Sequence, residues 1–167
     1  DSDDKVIPFS GGTTFRERLN EQLQLLKLAE GQELIANILI GNLDESGYLN
    51  RDLEAIVDDL AFSMNVHVNE GQVLEVLRMI QDLDPAGVGA RDLQECLLLQ
   101  INRKQDGNIA KFTAKTILEN HFEEFTKKHY EKIQRQLELT DTEIKEVVGQ
   151  IIKLNPKPGG NFTNIDK

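Results

Sequence analysis

V-L-E-V-L-R-M-I-Q-D-L-D-P, the stretch from Val73 to Pro85, joins an amphipathic pattern to a strong stop signal. Its apolar residues recur every three or four positions, which is the spacing of one face of an α-helix. These residues are Val73, Val76, Leu77, Ile80 and Leu83. Asn69 followed by Gln72 has the pattern of a capping box at the start of the helix. Because the residue before a proline disfavours helical geometry, we expect the helix to break at Asp84.

The same pattern returns 71 residues later, in the stretch from Ile144 to Pro156. The second copy has its own capping-box pattern, Thr140 with Glu143, and its own break at Asn155. Its apolar positions are Ile144, Val147, Val148, Ile151 and Leu154. Any amphipathic helix has such spacings, but the matched caps and breaks favour two helical units of similar plan.

Helical spacing dominates the rest of the chain, and no segment alternates as a β-strand does. A further capping-box pattern, Thr14 with Glu17, begins the first helix. We expect Gly41 to end the second helix in the left-handed conformation and Asn50 to cap the third. A single later helix is expected to include residues 109–125.

The predicted fold class is therefore all-α, with about eight helices in two small helical bundles joined by a Gly-rich link. Residues 1–12 are interpreted as a disordered tail or a cloning boundary. Residues 13–84 form the first predicted subdomain, 85–90 the link or hinge and 91–158 the second subdomain. Residues 159–167 are expected to be a tail.

The charge of the chain argues against nucleic-acid binding as its main task. The net charge is −10, whereas contacts to phosphates need a basic face. Residues 14–83 hold five Lys and Arg against 13 Asp and Glu, and residues 91–154 hold 11 of each. The acidic first half could attract a basic partner or could serve solubility alone.

The sequence also points to a cellular compartment. A single cysteine, Cys96, excludes an internal disulfide and fits a reducing environment. No apolar run approaches the roughly 20 residues that span a membrane, and the acidic N-terminus is unlike a signal peptide. We therefore expect a cytoplasmic protein without membrane contact.

No motif supports catalysis, a metal site or a cofactor site. The glycines in residues 84–92 lack the spacing of a phosphate-binding loop, and residues 44–54 lack the glycine position of a calcium loop. His121 and His129 are eight residues apart, and Cys96 lies on an apolar helix face. We predict a binding module that is not an enzyme and has no cofactor, metal or small-molecule substrate.

Turns between helices are exposed and can carry recognition. The predicted partner-binding residues lie in two such turns: Asp44, Glu45, Gly47, Tyr48, Val88 and Arg91. Four residues are expected to set the path of the chain as structural hinge positions: Pro85, Gly87, Gly89 and Pro156. A basic cluster is interleaved with glutamates, so it is either a solvated face or a minor contact surface: Lys127, Lys128, Lys132 and Arg135.

Three segments carry a resemblance to a known family. They are I-G-N-L-D-E-S-G-Y-L (residues 40–49), I-Q-D-L-D-P-A-G-V-G-A-R-D-L-Q-E-C-L (residues 80–97) and I-I-K-L-N-P-K-P-G (residues 151–159). In order and spacing they resemble the core-binding region of the bacterial sigma-54 type, or enhancer-dependent, RNA polymerase sigma factors. The resemblance extends from about Thr13 to Gly160.

The resemblance implies an all-helical domain that docks on core RNA polymerase, through the flap of the beta subunit and the beta-prime subunit. Complete factors of this type add an activator-responsive segment in front and a DNA-binding region behind. Neither is seen in this sequence, so promoter DNA is expected to be bound only through regions absent here. The alternative is a generic helical scaffold or adaptor with an unrelated partner; a hydrolase using His121 or Cys96 is a remote third.

Overall fold

A computed structural model describes residues 14–104 and 107–160. The predicted tail at residues 1–12 lies outside the described residues, as do residues 161–167 of the tail predicted at 159–167. The described ranges contain nine α-helices and, apart from an isolated bridge between Leu43 and Leu49, no paired β-structure. The helices are α1 Phe15–Gln24, α2 Glu30–Gly41, α3 Leu53–Met64, α4 Glu70–Gln81, α5 Leu93–Arg103, α6 Ile109–Asn120, α7 Phe122–Thr126, α8 Tyr130–Leu137 and α9 Asp141–Ile152. The all-α prediction is confirmed.

The helix starts follow the predicted capping chemistry. In α1, the Thr14 hydroxyl accepts the N–H of Glu17 at 3.0 Å, and the Glu17 carboxylate accepts the N–H of Thr14 at 2.7 Å. The reciprocal pair also closes at the starts of α4 and α9. Each box satisfies backbone donors that have no partner inside the helix.

Three local predictions were wrong. Gly41 is the last helical residue of α2, and Asn42 follows it with an ordinary negative φ. Asn50 does not cap α3, because its amide donates to the Asp44 carboxylate at 2.6 Å and Asp52 takes the N-cap position. The expected helix over residues 109–125 is divided at His121, whose φ of −133° lies outside helical geometry.

Among the described residues, the contacts divide the chain into two compact units: residues 14–92 with 157–160, and residues 93–104 with 107–156. The predicted link at 85–90 lies within the first unit. In that unit α1 to α4 surround a core of Leu, Ile and Val side chains. The largest fully buried residues there are Leu19, Leu39, Ile40, Leu43, Leu49, Ile56, Leu60, Leu77 and Ile80.

The second unit packs α5 to α9 around a separate core. Helix α6 contacts both α5 and α9, and its Ile117 and Leu118 are fully buried. Phe122 and Phe125 of α7 are partly buried against the same core. The divided helix therefore turns two aromatic rings onto the core.

A glutamine holds the backbone at each proline break. In the first unit the Gln22 amide donates to the Asp84 carbonyl at 2.6 Å, and its oxygen accepts the Asp84 N–H at 2.8 Å. In the second unit the Gln100 amide donates to the Asn155 carbonyl at 2.5 Å, and its oxygen accepts the Asn155 N–H at 2.8 Å. Each glutamine lies on the first helix of its unit. The two units thus share a helix, its break and the side chain that holds the break.

Candidate partner-binding site

The three segments that carry the family resemblance meet within the first unit. The Gly89 N–H donates to the Gly47 carbonyl at 2.9 Å, which joins the first segment to the second. The Leu49 N–H donates to the Ala90 carbonyl at 2.9 Å and makes a second such link. The Gly159 N–H donates to the Ser46 carbonyl at 2.9 Å, which joins the third segment to the first. We call residues 43–50, 85–91 and 158–159 the junction.

Close approach of the backbones explains the glycines at the junction. Gly47 has a φ of +92°, and a Cβ there would stand 3.1 Å from the Gly159 nitrogen and 3.2 Å from the Phe15 ring. A Cβ on Gly159 would stand 2.7 Å from the Glu45 carbonyl oxygen, closer than real Cβ atoms come to backbone. The junction therefore requires residues without a side chain at both places.

Asp44 orders the loop between the buried residues Leu43 and Leu49. One carboxylate oxygen accepts the N–H groups of Ser46 at 2.8 Å and Tyr48 at 3.0 Å. The backbone of Asp44 also pairs with that of Tyr48 at 2.9 Å. This is the local hydrogen bonding by which aspartate favours turns.

The same contacts shift the pKa of the Asp44 carboxyl. Partial burial raises this pKa, but hydrogen bonds to the carboxylate lower it by more, so the pKa lies below the ordinary value of an aspartate. The bonds come from Tyr48, Asn50, Ser46 and Gly47. The folded loop therefore prefers the ionised carboxylate.

We expect Asp44→Ala to lower the free energy of unfolding by about 1–2 kcal/mol at neutral pH, because several loop hydrogen bonds are lost. The folded pKa is depressed, so the carboxylate stabilises above its unfolded pKa and loses this effect as the pH falls through the folded pKa. The difference between wild type and variant should shrink in acid. Urea unfolding at a series of pH values measures it.

Glu45→Ala is the matched control, since Glu45 is the neighbouring acid and is exposed. Its effect on the free energy of unfolding should be small. A difference between wild type and Asp44→Ala that stays constant down to the lowest pH at which both remain folded would contradict the assigned role.

The structure places the predicted contact residues at different depths of the junction. Glu45 and Arg91 are exposed, and Asp44 and Tyr48 are half-buried. Gly47 is buried, and Val88 is fully buried at 0% exposure in the core of the first unit. Arg91 lines a cavity of about 450 Å³ together with residues 49–54 and Glu70. The accessible members are therefore Asp44, Glu45, Tyr48 and Arg91.

The predicted hinge residues also differ in environment. Gly87 and Gly89 are buried and have φ values of +97° and +79°, which favour glycine. Pro85 is half-buried and follows a cis peptide bond from Asp84, and Pro156 is exposed. Pro85, Gly87 and Gly89 lie in the first unit, whereas Pro156 is the last residue of the second.

Sequence reasoning missed three residues that support the junction. Gln81 is 2% exposed, and its amide donates to the Gly89 carbonyl at 2.9 Å. Arg78 donates to the Gln81 amide oxygen at 2.7 Å. Gly159, assigned to a tail, is buried at the junction. A polar residue between the core positions Ile80 and Leu83 was the only signal for Gln81.

The remaining candidates for chemistry are not brought together. The part of the chain that the structure describes holds no group of three His, Cys, Asp or Glu side chains suited to a metal ion. Cys96 is buried and accepts a hydrogen bond from the Gln100 amide at 3.3 Å. In the basic cluster, Lys127 pairs with Glu123 at 3.2 Å and Lys132 with Glu124 at 3.7 Å. In residues 14–104 and 107–160, no helix has the length and apolar character to cross a membrane.

The chain belongs to the family of sigma-54 factor core-binding domains, whose family model matches residues 8–167. Named relatives are RNA polymerase sigma-54 factors. The one from Azorhizobium caulinodans is 35% identical over 148 residues, covering 88% of this chain and 27% of the relative. That from Azotobacter vinelandii is 33% identical over 92% of this chain and 30% of the relative. The sigma-54 factor from Bacillus subtilis is 33% identical over 87% of this chain and 31% of the relative. The chain thus spans about a third or less of these relatives.

Proposed function

We propose that this chain binds core RNA polymerase as part of a transcription initiation factor, by protein contact and without chemistry of its own. The observation that carries the proposal is the junction, where the backbone of the first family segment is hydrogen-bonded to the backbones of the second and the third. Membership in the core-binding-domain family supports the partner. The partner surfaces we propose are the flap of the beta subunit and the beta-prime subunit.

The contact surface on this chain is the accessible side of the junction. Glu45 and Arg91 present opposite charges there, and Tyr48 offers a half-buried aromatic ring. Aromatic and arginine side chains are the types most often found as interface anchors. The buried Gly47 and Val88 act from beneath by holding the loops in place.

Charge reversal at the accessible residues should weaken binding. We expect Glu45→Lys and Arg91→Glu each to raise the Kd for core polymerase about tenfold, since each places a like charge against a complementary partner group. Titration of labelled protein with purified core polymerase at moderate salt measures the Kd. Circular dichroism confirms that each variant is folded.

Glu75→Lys is the control for net charge, because Glu75 is an exposed acid of α4 outside the junction. It changes the charge of the chain as much as Glu45→Lys but should leave the Kd nearly unchanged. Absence of binding by the wild-type chain at micromolar concentration would remove the proposed function. Equal losses for Glu45→Lys and Glu75→Lys, with no loss for Arg91→Glu, would point to general electrostatic steering rather than to the junction.

A generic helical scaffold with an unrelated partner is the alternative, and competition separates the two. A complete sigma factor of this family should displace the chain from polymerase if both use the same surface. Captured partners that the complete factor does not displace would favour the scaffold.

The hinge that we propose is local opening of the backbone at residues 84–90. Local opening there would let this loop of the first unit adjust when it meets polymerase. Amide hydrogen exchange faster than in the helix cores would support a hinge, and protection equal to the cores would argue for a rigid link.

A further inference from the structure

The second unit has an apolar groove that the junction does not use. It lies between the N-terminal halves of α6 and α9 and has a volume of about 430 Å³. Ala110, Leu139 and Val147 contribute to its apolar lining, and Ile109 stands at its edge with 80% of its surface exposed. Phe112, one turn along α6, is 72% exposed. Ile109 is thus a large apolar side chain in water at the groove, and Phe112 is a second one on the same helix, outside the groove lining. Neighbouring exposed apolar side chains are typical of an interaction site.

The charged side chains that line the groove are all acidic. Glu143 and Glu146 line it from α9, and both are exposed. Lys111 of α6 directs its ammonium to the Lys104 carbonyl and is not part of the lining. By contrast, the groove beside Leu26 in the first unit is lined by both Lys27 and Asp82 and has no such polarity.

We propose that this groove binds a helix of core RNA polymerase that presents two apolar side chains one turn apart, with Lys or Arg beside them. The inference rests on the proposed function and adds a second contact to it. One apolar side chain of the bound helix would pack in the groove against Ile109, as helices do in grooves between helices, and the other would pack on Phe112 outside the groove. The basic residue would face Glu143 and Glu146, so charge would set the direction of the bound helix.

The groove would supply the buried apolar contact that the accessible junction residues do not provide. The accessible junction residues are mainly charged, whereas affinity at interfaces comes chiefly from a few well-buried apolar or aromatic contacts. Ile109 and Phe112 are largely exposed in the free chain, so removing them should leave the core of the second unit intact. Binding and folding can therefore be measured separately.

The test is the titration of core polymerase with the Ile109→Ser/Phe112→Ser double variant and with Glu146→Lys. We expect the double variant to raise the Kd at least tenfold and Glu146→Lys to raise it several-fold, with unchanged helix content and unfolding midpoint. The matched controls are Phe62→Ser, at an 87% exposed phenylalanine of α3, and Glu119→Lys, at an exposed acid of α6 outside the groove. Both controls should bind as the wild type does.

The outcomes separate the two proposals. If the wild type binds polymerase and the groove variants bind equally well, the groove is not a contact and the proposed function stands. If Phe62→Ser weakens binding as much as the double variant does, non-specific hydrophobic attraction explains the loss and the groove is not a specific contact. If the wild type does not bind polymerase, the proposed function and this inference fall together.

Discussion

Gly47→Ala is expected to lower the free energy of unfolding of the first unit by about 3 kcal/mol. Two costs combine. A φ of +92° is unfavourable for any residue with a side chain, at roughly 1–2 kcal/mol. The new methyl also meets the Gly159 nitrogen at 3.1 Å and the Phe15 ring at 3.2 Å, and overpacking costs about 1–3 kcal/mol. Urea or guanidinium unfolding gives the free energy.

Gly41→Ala is the control for that change, because Gly41 lies in the same family segment at the end of α2. Nothing stands within 4 Å of its Cβ position, and its backbone is helical. Alanine there should be neutral or should stabilise by up to about 1 kcal/mol. The account of the junction is wrong if Gly47→Ala and Gly41→Ala shift the unfolding midpoint alike.

Gln100→Ala should destabilise the second unit by about 2–4 kcal/mol. Gln100 is 8% exposed, and its amide makes both hydrogen bonds to the backbone of Asn155. Alanine would leave a buried N–H and a carbonyl without their partner and would open a cavity beside Cys96. Thermal and denaturant unfolding measure the loss, and near-ultraviolet circular dichroism reports on packing around Tyr130 and the neighbouring rings.

Two glutamines provide matched comparisons. Gln22→Ala removes the equivalent pair of bonds at Asp84, where the environment is more exposed, so we expect a loss of only about 1 kcal/mol. Gln24→Ala, at an exposed position of α1, should be nearly neutral. A loss for Gln100→Ala no larger than that for Gln24→Ala would rule out a role for the glutamine in holding the break.

Helices and their starts could be predicted from the sequence because they depend on local chemistry. The capping pairs at Thr14, Asn69 and Thr140 close as their spacing indicates. The helix ends were less predictable. Gly41 is permissive of the left-handed conformation but does not require it, and Asn50 found a better acceptor in the Asp44 carboxylate.

The candidate site was predictable only in part, because it is formed by tertiary contacts. The sequence pointed to the loops around Asp44 and Val88, but it could not reveal that Gly159 lies against Ser46. The repeat offset of 71 residues describes the last helix of each unit, whereas Gln22 and Gln100 are 78 residues apart. A side chain that hydrogen-bonds to backbone far away in the sequence leaves no local spacing pattern from which the contact could be predicted.

Amide hydrogen exchange of this chain with and without core RNA polymerase shows directly whether the junction is the contact surface. We expect polymerase to slow exchange in peptides covering residues 43–50 and 85–91, while exposed parts of α3 outside the junction exchange as before. Unchanged exchange at both junction segments, under conditions where the chain is shown to be bound, would contradict this assignment of the contact surface.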